Sequence, residues 1–372
     1  MTIERAARLI AFYLPQYYPI PENDAWWGKG FTEWTNVARA RPLFPGHYQP
    51  HVPADLGFYD LRVPETRQAQ ADMARSHGIE GFAYWHYWFG NARRLLDRPF
   101  SEVLKSGEPD FPFCLAWANE SWTGIWYGAR DRVLIEQTYP GPRDEEEHFY
   151  AVLDAFCDPR YITVDGKPLF VVFAPRELPE PRRFTDHWRE LALRAGLKGV
   201  YFVGFPQFGW REWEPNANGF DAAILINMHA AFSAIYQRIP SRLDPLFYRI
   251  KHQSYSQWRR ERSNRPFVIP YSTLVEAADK ELASTFVQYP CVIPNWDNTP
   301  RSGKNGLVFH ESTPQLFASH LETALLQVCD RDPQHRIVFV KSWNEWAEGN
   351  YLEPDQRFGL QYLQVVRGAV VK

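Results

Sequence analysis

Ile337-Val338-Phe339-Val340-Lys341-Ser342-Trp343-Asn344-Glu345-Trp346-Ala347-Glu348-Gly349 is the stretch on which the reading of this chain turns. Its four apolar residues read as a buried strand. Where that strand stops, two carboxylates stand three residues apart among Trp343, Asn344, Trp346 and Gly349. On a strand, residues three apart face opposite ways. In a turn or a first helical turn they share a side, with Cβ atoms roughly 5–6 Å apart. Asn344 and Gly349 favour the turn. A carboxylate pair at that spacing suits acid/base chemistry on a sugar, where a retaining pair wants about 5–5.5 Å. Two surface glutamates would explain the carboxylates alone; the flanking tryptophans and the buried strand favour a functional pair.

Working outward, apolar runs recur at Arg8 to Tyr13, Gly81 to Phe89, Phe111 to Trp117, Pro168 to Phe173, Val200 to Phe205, Ala222 to Ile226 and Val292-Ile293. Near-continuous apolar runs are what strands covered on both faces require. Asp165-Gly166, between Tyr161 to Val164 and Pro168 to Phe173, marks a hairpin. Helical segments lie between the runs. Pro64 opens one that Gly78 stops, and Asp144 to Phe156 has an acidic first turn. Thr185 is expected to cap a helix through about Ala195. Thr313-Pro314 starts another, with Phe317, His320, Leu321, Ala324 and Val328 on one face.

Strands alternating with helices, close to eight in number, with the informative residues after the strands, predict an α/β fold. The expected form is a single (β/α)8 TIM-type barrel spanning residues 1–372, with long βα loops. A doubly wound open sheet would announce a Gly-rich phosphate loop after its first strand. Tyr13-Leu14-Pro15-Gln16-Tyr17 holds none. Residues 230–265, dense in arginine with interleaved Tyr and Trp, break the pattern and read as an insertion or lid.

Composition narrows the function. A net charge of −3 gives no nucleic-acid-like excess, so no nucleic-acid partner is expected. Aromatic content of 16%, with 15 Trp, is high enough to look for rings outside the core. Cys114, Cys157, Cys291 and Cys329 form no CxxC pair and are expected unpaired, with Cys114, Cys291 and Cys329 in the core. No HExxH or His/Asp cluster has metal spacing, so neither metal nor cofactor is expected. No signal peptide and no membrane-length apolar run is visible, which predicts a cytoplasmic protein without a membrane span.

The expected partner is an oligosaccharide or polysaccharide. The substrate-binding residues expected around the barrel mouth are Tyr13, Gln16, Trp26, Trp27, Glu33, Trp34, Trp85, His86, Trp117, Asn119, Glu120, Trp122, Trp296, Asp297 and Asn344, with Glu345 and Glu348 catalytic. The tryptophans would form a stacking floor, although any one of them could simply pack. His86 reads as either a satisfied core histidine or a substrate contact. Asp297 with Arg301 reads as a hydroxyl holder or a loop ion pair. Asn119-Glu120 is the rival: Glu120 with Glu345 would be a second acid/base couple, though a binding role is preferred.

At these residues the chain resembles the WbsX-type family of bacterial polysaccharide gene clusters, which is similar to glycoside hydrolase family 99. The resemblance rests on Phe12-Tyr13-Leu14-Pro15-Gln16-Tyr17, Gly30-Phe31-Thr32-Glu33-Trp34, Trp117-Ala118-Asn119-Glu120, Trp296-Asp297-Asn298-Thr299 and Trp343 to Gly349. It implies a (β/α)8 barrel acting as a retaining, endo-α-mannosidase-like enzyme. It further implies Glu345 as base and Glu348 as acid. The base would deprotonate the sugar's own 2-hydroxyl, which displaces the leaving group through a 1,2-anhydro intermediate. The family label also implies an alternative, a glycosyltransferase or transglycosylase of O-antigen synthesis. Against sugar-nucleotide transfer, no obvious diphosphate-binding loop is visible. A non-catalytic glycan-binding barrel is the third reading, under which both glutamates would be dispensable.

Overall fold

The computed structural model describes residues 5–124, 133–206, 213–226, 265–278 and 285–371, together with Met228 and Ala231. Eight parallel strands close into a ring: β1 (Arg8–Tyr13), β2 (Ile79–Trp88), β3 (Phe113–Trp117), β4 (Lys167–Val172), β5 (Tyr201–Gly204), β6 (Ala222–Leu225), β7 (Val287–Val292) and β8 (Ile337–Val340). Each pairs with the next, and β8 returns to β1 with Arg8 opposite Ile337 and Ala11 opposite Val340. Closure leaves no strand edge, and it explains why these runs are apolar almost without interruption: both faces of each strand are covered. The predicted TIM-type barrel is the fold observed.

The helices are α1 (Pro21–Trp27), α2 (Glu33–Arg39), α3 (Pro64–Ser76), α4 (Arg98–Ser106), α5 (Pro142–Phe156), α6 (Pro181–Arg194), α7 (Tyr271–Ala278), α8 (Thr299–Ser302), α9 (Pro314–Leu326) and α10 (Gln361–Val370). Thr313 caps α9 through its hydroxyl, which accepts from the Leu316 amide, and the whole expected face of α9 is buried. Thr185 is not a cap. Helix α6 starts four residues earlier at Pro181, and the Thr185 hydroxyl donates back to the Arg182 carbonyl inside it. Asp165 and Gly166 both have positive φ, as the two-residue hairpin requires. Cys114 and Cys291 are buried and all four cysteines are free, but Cys329 is exposed just beyond α9 rather than in the core. Residues 232–264 of the expected lid lie outside the described residues. Among the described residues no helix is long and apolar enough to cross a membrane.

Alternation along the strands decides which side chains can reach a site. Phe12 on β1 stacks on Trp85 of β2 at 4.6 Å and meets Phe339 of β8 and Phe205 beyond β5, both at 5.5 Å. Contacts from β1 to the far side of the ring are possible only inside the barrel. Phe173 closes this aromatic layer against Trp85 and Phe205. The neighbours in sequence therefore point outward. Removing the central ring should leave a cavity that the ring of strands cannot collapse around. Phe12→Ala is expected to cost about 3–5 kcal/mol, read as a lower urea midpoint at unchanged slope.

Candidate active site

The turn after β8 is fixed from below by the chain after β1. The Trp343 amide donates to the Phe12 carbonyl, and the Asn344 side chain accepts from the Leu14 amide at 2.7 Å while donating to the Leu14 carbonyl. The Tyr17 hydroxyl donates to the Asn344 carbonyl and accepts from the Trp346 amide. Residues Trp346–Glu348 then form one 3-10 turn, which brings Glu345 and Glu348 to the same side. Gly349 ends it at φ +61°, and a Cβ there would stand 2.9 Å from the Asp297 backbone. Glycine is needed on both counts.

Both glutamates are buried, at 6% and 7% exposure, so their charges need partners. Lys341 Nζ lies 2.6 Å from Glu345 Oε2 and 3.7 Å from Glu348 Oε2. The Ser342 hydroxyl donates to the same Glu345 oxygen at 2.6 Å. The Lys341 ammonium sits over the rings of Trp85 and Trp296, 5.7 and 5.3 Å from their centroids. Arg301 donates to Glu348 Oε1 at 2.6 Å and pairs with Glu33 Oε2 at 3.1 Å. Burial pushes the Glu345 carboxyl up, but Lys341, Arg301 and Ser342 outweigh it and hold it below the ordinary glutamate value. Burial and the Glu345 charge together raise Glu348 against the pull of Arg301 and Lys341. Burial also raises Glu33, which Arg301 only partly offsets. Two neighbouring carboxylates with opposed proton affinities are the arrangement an acid/base pair needs.

A cleft at the C-terminal end of the barrel opens onto this cluster. Leu14, Gln16, Trp27, Glu33, Tyr87, Glu120, Trp122, Arg301 and Glu345 line it. Of the expected site residues, Gln16, Trp27, Glu33, Glu120, Trp122 and Glu345 thus share one cleft, and half-buried Trp26 meets Trp122 edge-on at 5.9 Å. Trp85 and Trp296 act from beneath, through Lys341.

The remaining expected binding residues do other work. Tyr13 points outward, its hydroxyl donating to Gln70 of α3. His86 also points outward and shares a 2.8 Å hydrogen bond with His148 of α5; burial holds both imidazoles well below their ordinary value. Trp117 donates to the Trp88 carbonyl and packs on His148 and Phe184. Asn119 is fully buried and bonds both backbone groups of Ala174, tying the end of β3 to the chain after β4. Asn344 ties β8 to β1, and Trp34 donates to the Tyr59 carbonyl and packs on Trp346. Asp297 accepts from Gln49 and Thr299 and pairs with His47 at 2.7 Å, which with burial opposed keeps its carboxyl low. Arg301 reaches Glu33 and Glu348 instead of Asp297. In each case the side chain falls on the other face or is spent on neighbouring backbone and side chains.

Lys341 and Ser342 stood in the opening stretch without a role; their spacing of four and three from Glu345 was the available signal. Glu353 was not anticipated. Its buried carboxylate takes hydrogen bonds from Trp346 Nε1, Gln70 and the Tyr59 hydroxyl, so it anchors the turn from behind. Burial raises it to about 7 despite those donors.

Comparison with known proteins agrees with this architecture. The glycosyltransferase WbsX family model matches residues 9–366. An uncharacterized protein WxcX of Xanthomonas campestris pv. campestris is 37% identical over 370 residues, 98% of this chain and 50% of that protein. The chain thus spans about half the length of the curated relatives it matches. Among solved structures, a glycoside hydrolase-like protein superposes with a TM-score of 0.57 at 15% identity, covering 99% of this chain and 95% of that one. A GH99 endo-alpha-mannosidase of Bacteroides thetaiotaomicron superposes with 0.54 at 16% identity, over 97% and 95%. At such identities the likeness speaks for the fold.

The Glu353 environment has a pH signature. A carboxyl whose folded value is raised binds its proton more tightly when folded. Its contribution is therefore complete below about 4.5 and is lost as the pH rises through about 7. Between pH 5 and 8 the protein is expected to lose about 2–3 kcal/mol of unfolding free energy that the Glu353→Gln variant does not lose. Urea titrations of both proteins at several pH values measure the difference.

Proposed function

Because this chain belongs to the glycosyltransferase WbsX family and carries a glycoside hydrolase-like barrel, we propose that it is a single catalytic domain that acts on glycans, with Glu345 and Glu348 as its acid/base pair. One observation carries the reading: a single buried ammonium spans both carboxyl groups, while their environments push the two proton affinities apart. The facing oxygens cannot be farther apart than these two contacts laid end to end. That holds the two carboxyl groups close enough to act on one glycosidic bond.

Ionised Glu345 is the base. Lys341 and Ser342 both occupy its Oε2, which leaves Oε1 to take a proton from the sugar. Protonated Glu348 is the acid, and it gives its proton to the departing glycosidic oxygen. If the abstracted proton comes from the sugar's 2-hydroxyl, the resulting alkoxide closes on the anomeric carbon and expels the leaving group. Water or a second sugar hydroxyl then opens the anhydro ring, giving hydrolysis or transglycosylation with overall retention. The likeness to an endo-alpha-mannosidase suggests an α-mannosidic bond as the first to try. The name of the family model favours a second reading, transfer from a sugar nucleotide.

Nuclear magnetic resonance of the first-formed product separates these readings. An α-anomer from an α-linked oligosaccharide is expected; a β-anomer would exclude the anhydro route, and turnover of a sugar nucleotide alone would favour transfer. Glu348→Gln is expected to lose roughly 10²–10⁴-fold on unactivated glycosides while sparing an α-glycosyl fluoride, whose departure needs little protonation. Glu345→Gln is expected to damage both by a similar factor. Equal losses for both variants on the fluoride would refute the assignment of roles.

A further inference from the structure

Asn23 lies in helix α1 and is 1% exposed, yet neither its Oδ1 nor its Nδ2 has a hydrogen-bond partner among the described residues. It lines the same cleft as Trp27, Trp122 and Glu345. A buried amide without partners is unfavourable, because it has given up water for nothing. Asparagine is also a poor helix former, so the folding of α1 does not ask for it. The other buried asparagines near the turn set the contrast. Asn119 and Asn344 each spend donor and acceptor on neighbouring backbone. Asn350 also has an unpartnered amide, but it does not line the cleft.

Resting on the proposed glycan activity, we infer that Asn23 is a sugar-binding residue. Its Oδ1 accepts from one hydroxyl, and its Nδ2 donates to the adjacent hydroxyl, of an uncharged pyranose seated against Trp27 and Trp122. An amide presents acceptor and donor side by side, which is the complement of a vicinal diol. The tryptophan rings offer the apolar faces on which a sugar ring packs. Charge selects the class. Among the described lining residues the charged groups are Glu33, Glu120, Glu345 and Arg301, and Arg301 is committed to Glu33 and Glu348. A uronate or a phosphorylated sugar would meet an excess of carboxylate here.

The test compares the full chain with its Asn23→Leu variant, which keeps the branched shape of the side chain and removes both polar atoms. Each is titrated by tryptophan fluorescence with α-linked mannobiose, with an N-acetylated disaccharide and with a glucuronate-containing disaccharide, and the thermal midpoint of each free protein is recorded. The expected result is that the wild type prefers mannobiose and that Asn23→Leu weakens it by about 10- to 100-fold. The midpoint of the free variant is expected to hold or rise, a result that a purely structural amide would not give. Equal mannobiose binding by both proteins would overturn the inference and leave the Glu345–Glu348 reading standing. A fall of several degrees in the variant's midpoint would overturn it by making the amide structural. Preference of the wild type for the glucuronate sugar would overturn the substrate class. A wild type that binds none of the three would remove this inference together with the glycan reading on which it rests.

Discussion

The site depends on one buried ammonium. Lys341 is 6% exposed, lies over two indole faces and touches both carboxyl groups of the pair. Burial alone would drive its proton off, but the two glutamates outweigh burial and raise its affinity. Remove the ammonium, and two carboxylates face each other in a low-dielectric site with only Arg301 between them and Glu33. Leaving a buried charge uncompensated is among the costlier single changes a fold can suffer. The same cation lowers Glu345 more than Glu348, because it is closer by about 1 Å and makes a direct hydrogen bond.

Counted as ions, three carboxylates share two cations, so the cluster carries one negative charge too many for a buried site. A single proton neutralises it. Burial raises the proton affinity of both Glu33 and Glu348, and the proposed roles put that proton on Glu348, beside Glu345 on the same turn. The barrel supplies the rigidity this needs. Phe12 and Trp85 form the floor, Asn344 and Tyr17 lock the turn to β1, and Glu353 braces Trp346 from the helix side.

The fold was legible because a closed parallel barrel leaves a direct trace: apolar runs at intervals, with the unusual residues after them. That Glu345 and Glu348 share a side was legible because residues three apart do so only in a turn, and the glycine that follows favours one. What the chain hid was the direction of side chains. Tyr13 and Phe12 are equally aromatic, and only closure of the ring makes one interior and the other a partner of Gln70. Asn119 and Asp297 read as substrate-binding residues, but three-dimensional neighbours absorb them: Ala174 for one, His47, Gln49 and Thr299 for the other. Glu33 and Arg301 lie far apart in the chain, so their ion pair had no local signature. Asn23 had none either, since an unpartnered amide is defined by what surrounds it in space.

The central claim is that the two glutamates hold different protonation states in the resting protein. Carbon-13 nuclear magnetic resonance of the protein labelled at glutamate carboxyls measures this directly, with Glu345→Gln and Glu348→Gln used to assign the resonances by loss. The account requires the Glu348 resonance to titrate above the ordinary glutamate value and the Glu345 resonance below it. Glu345 titrating above Glu348, or both titrating together at the ordinary value, would contradict it.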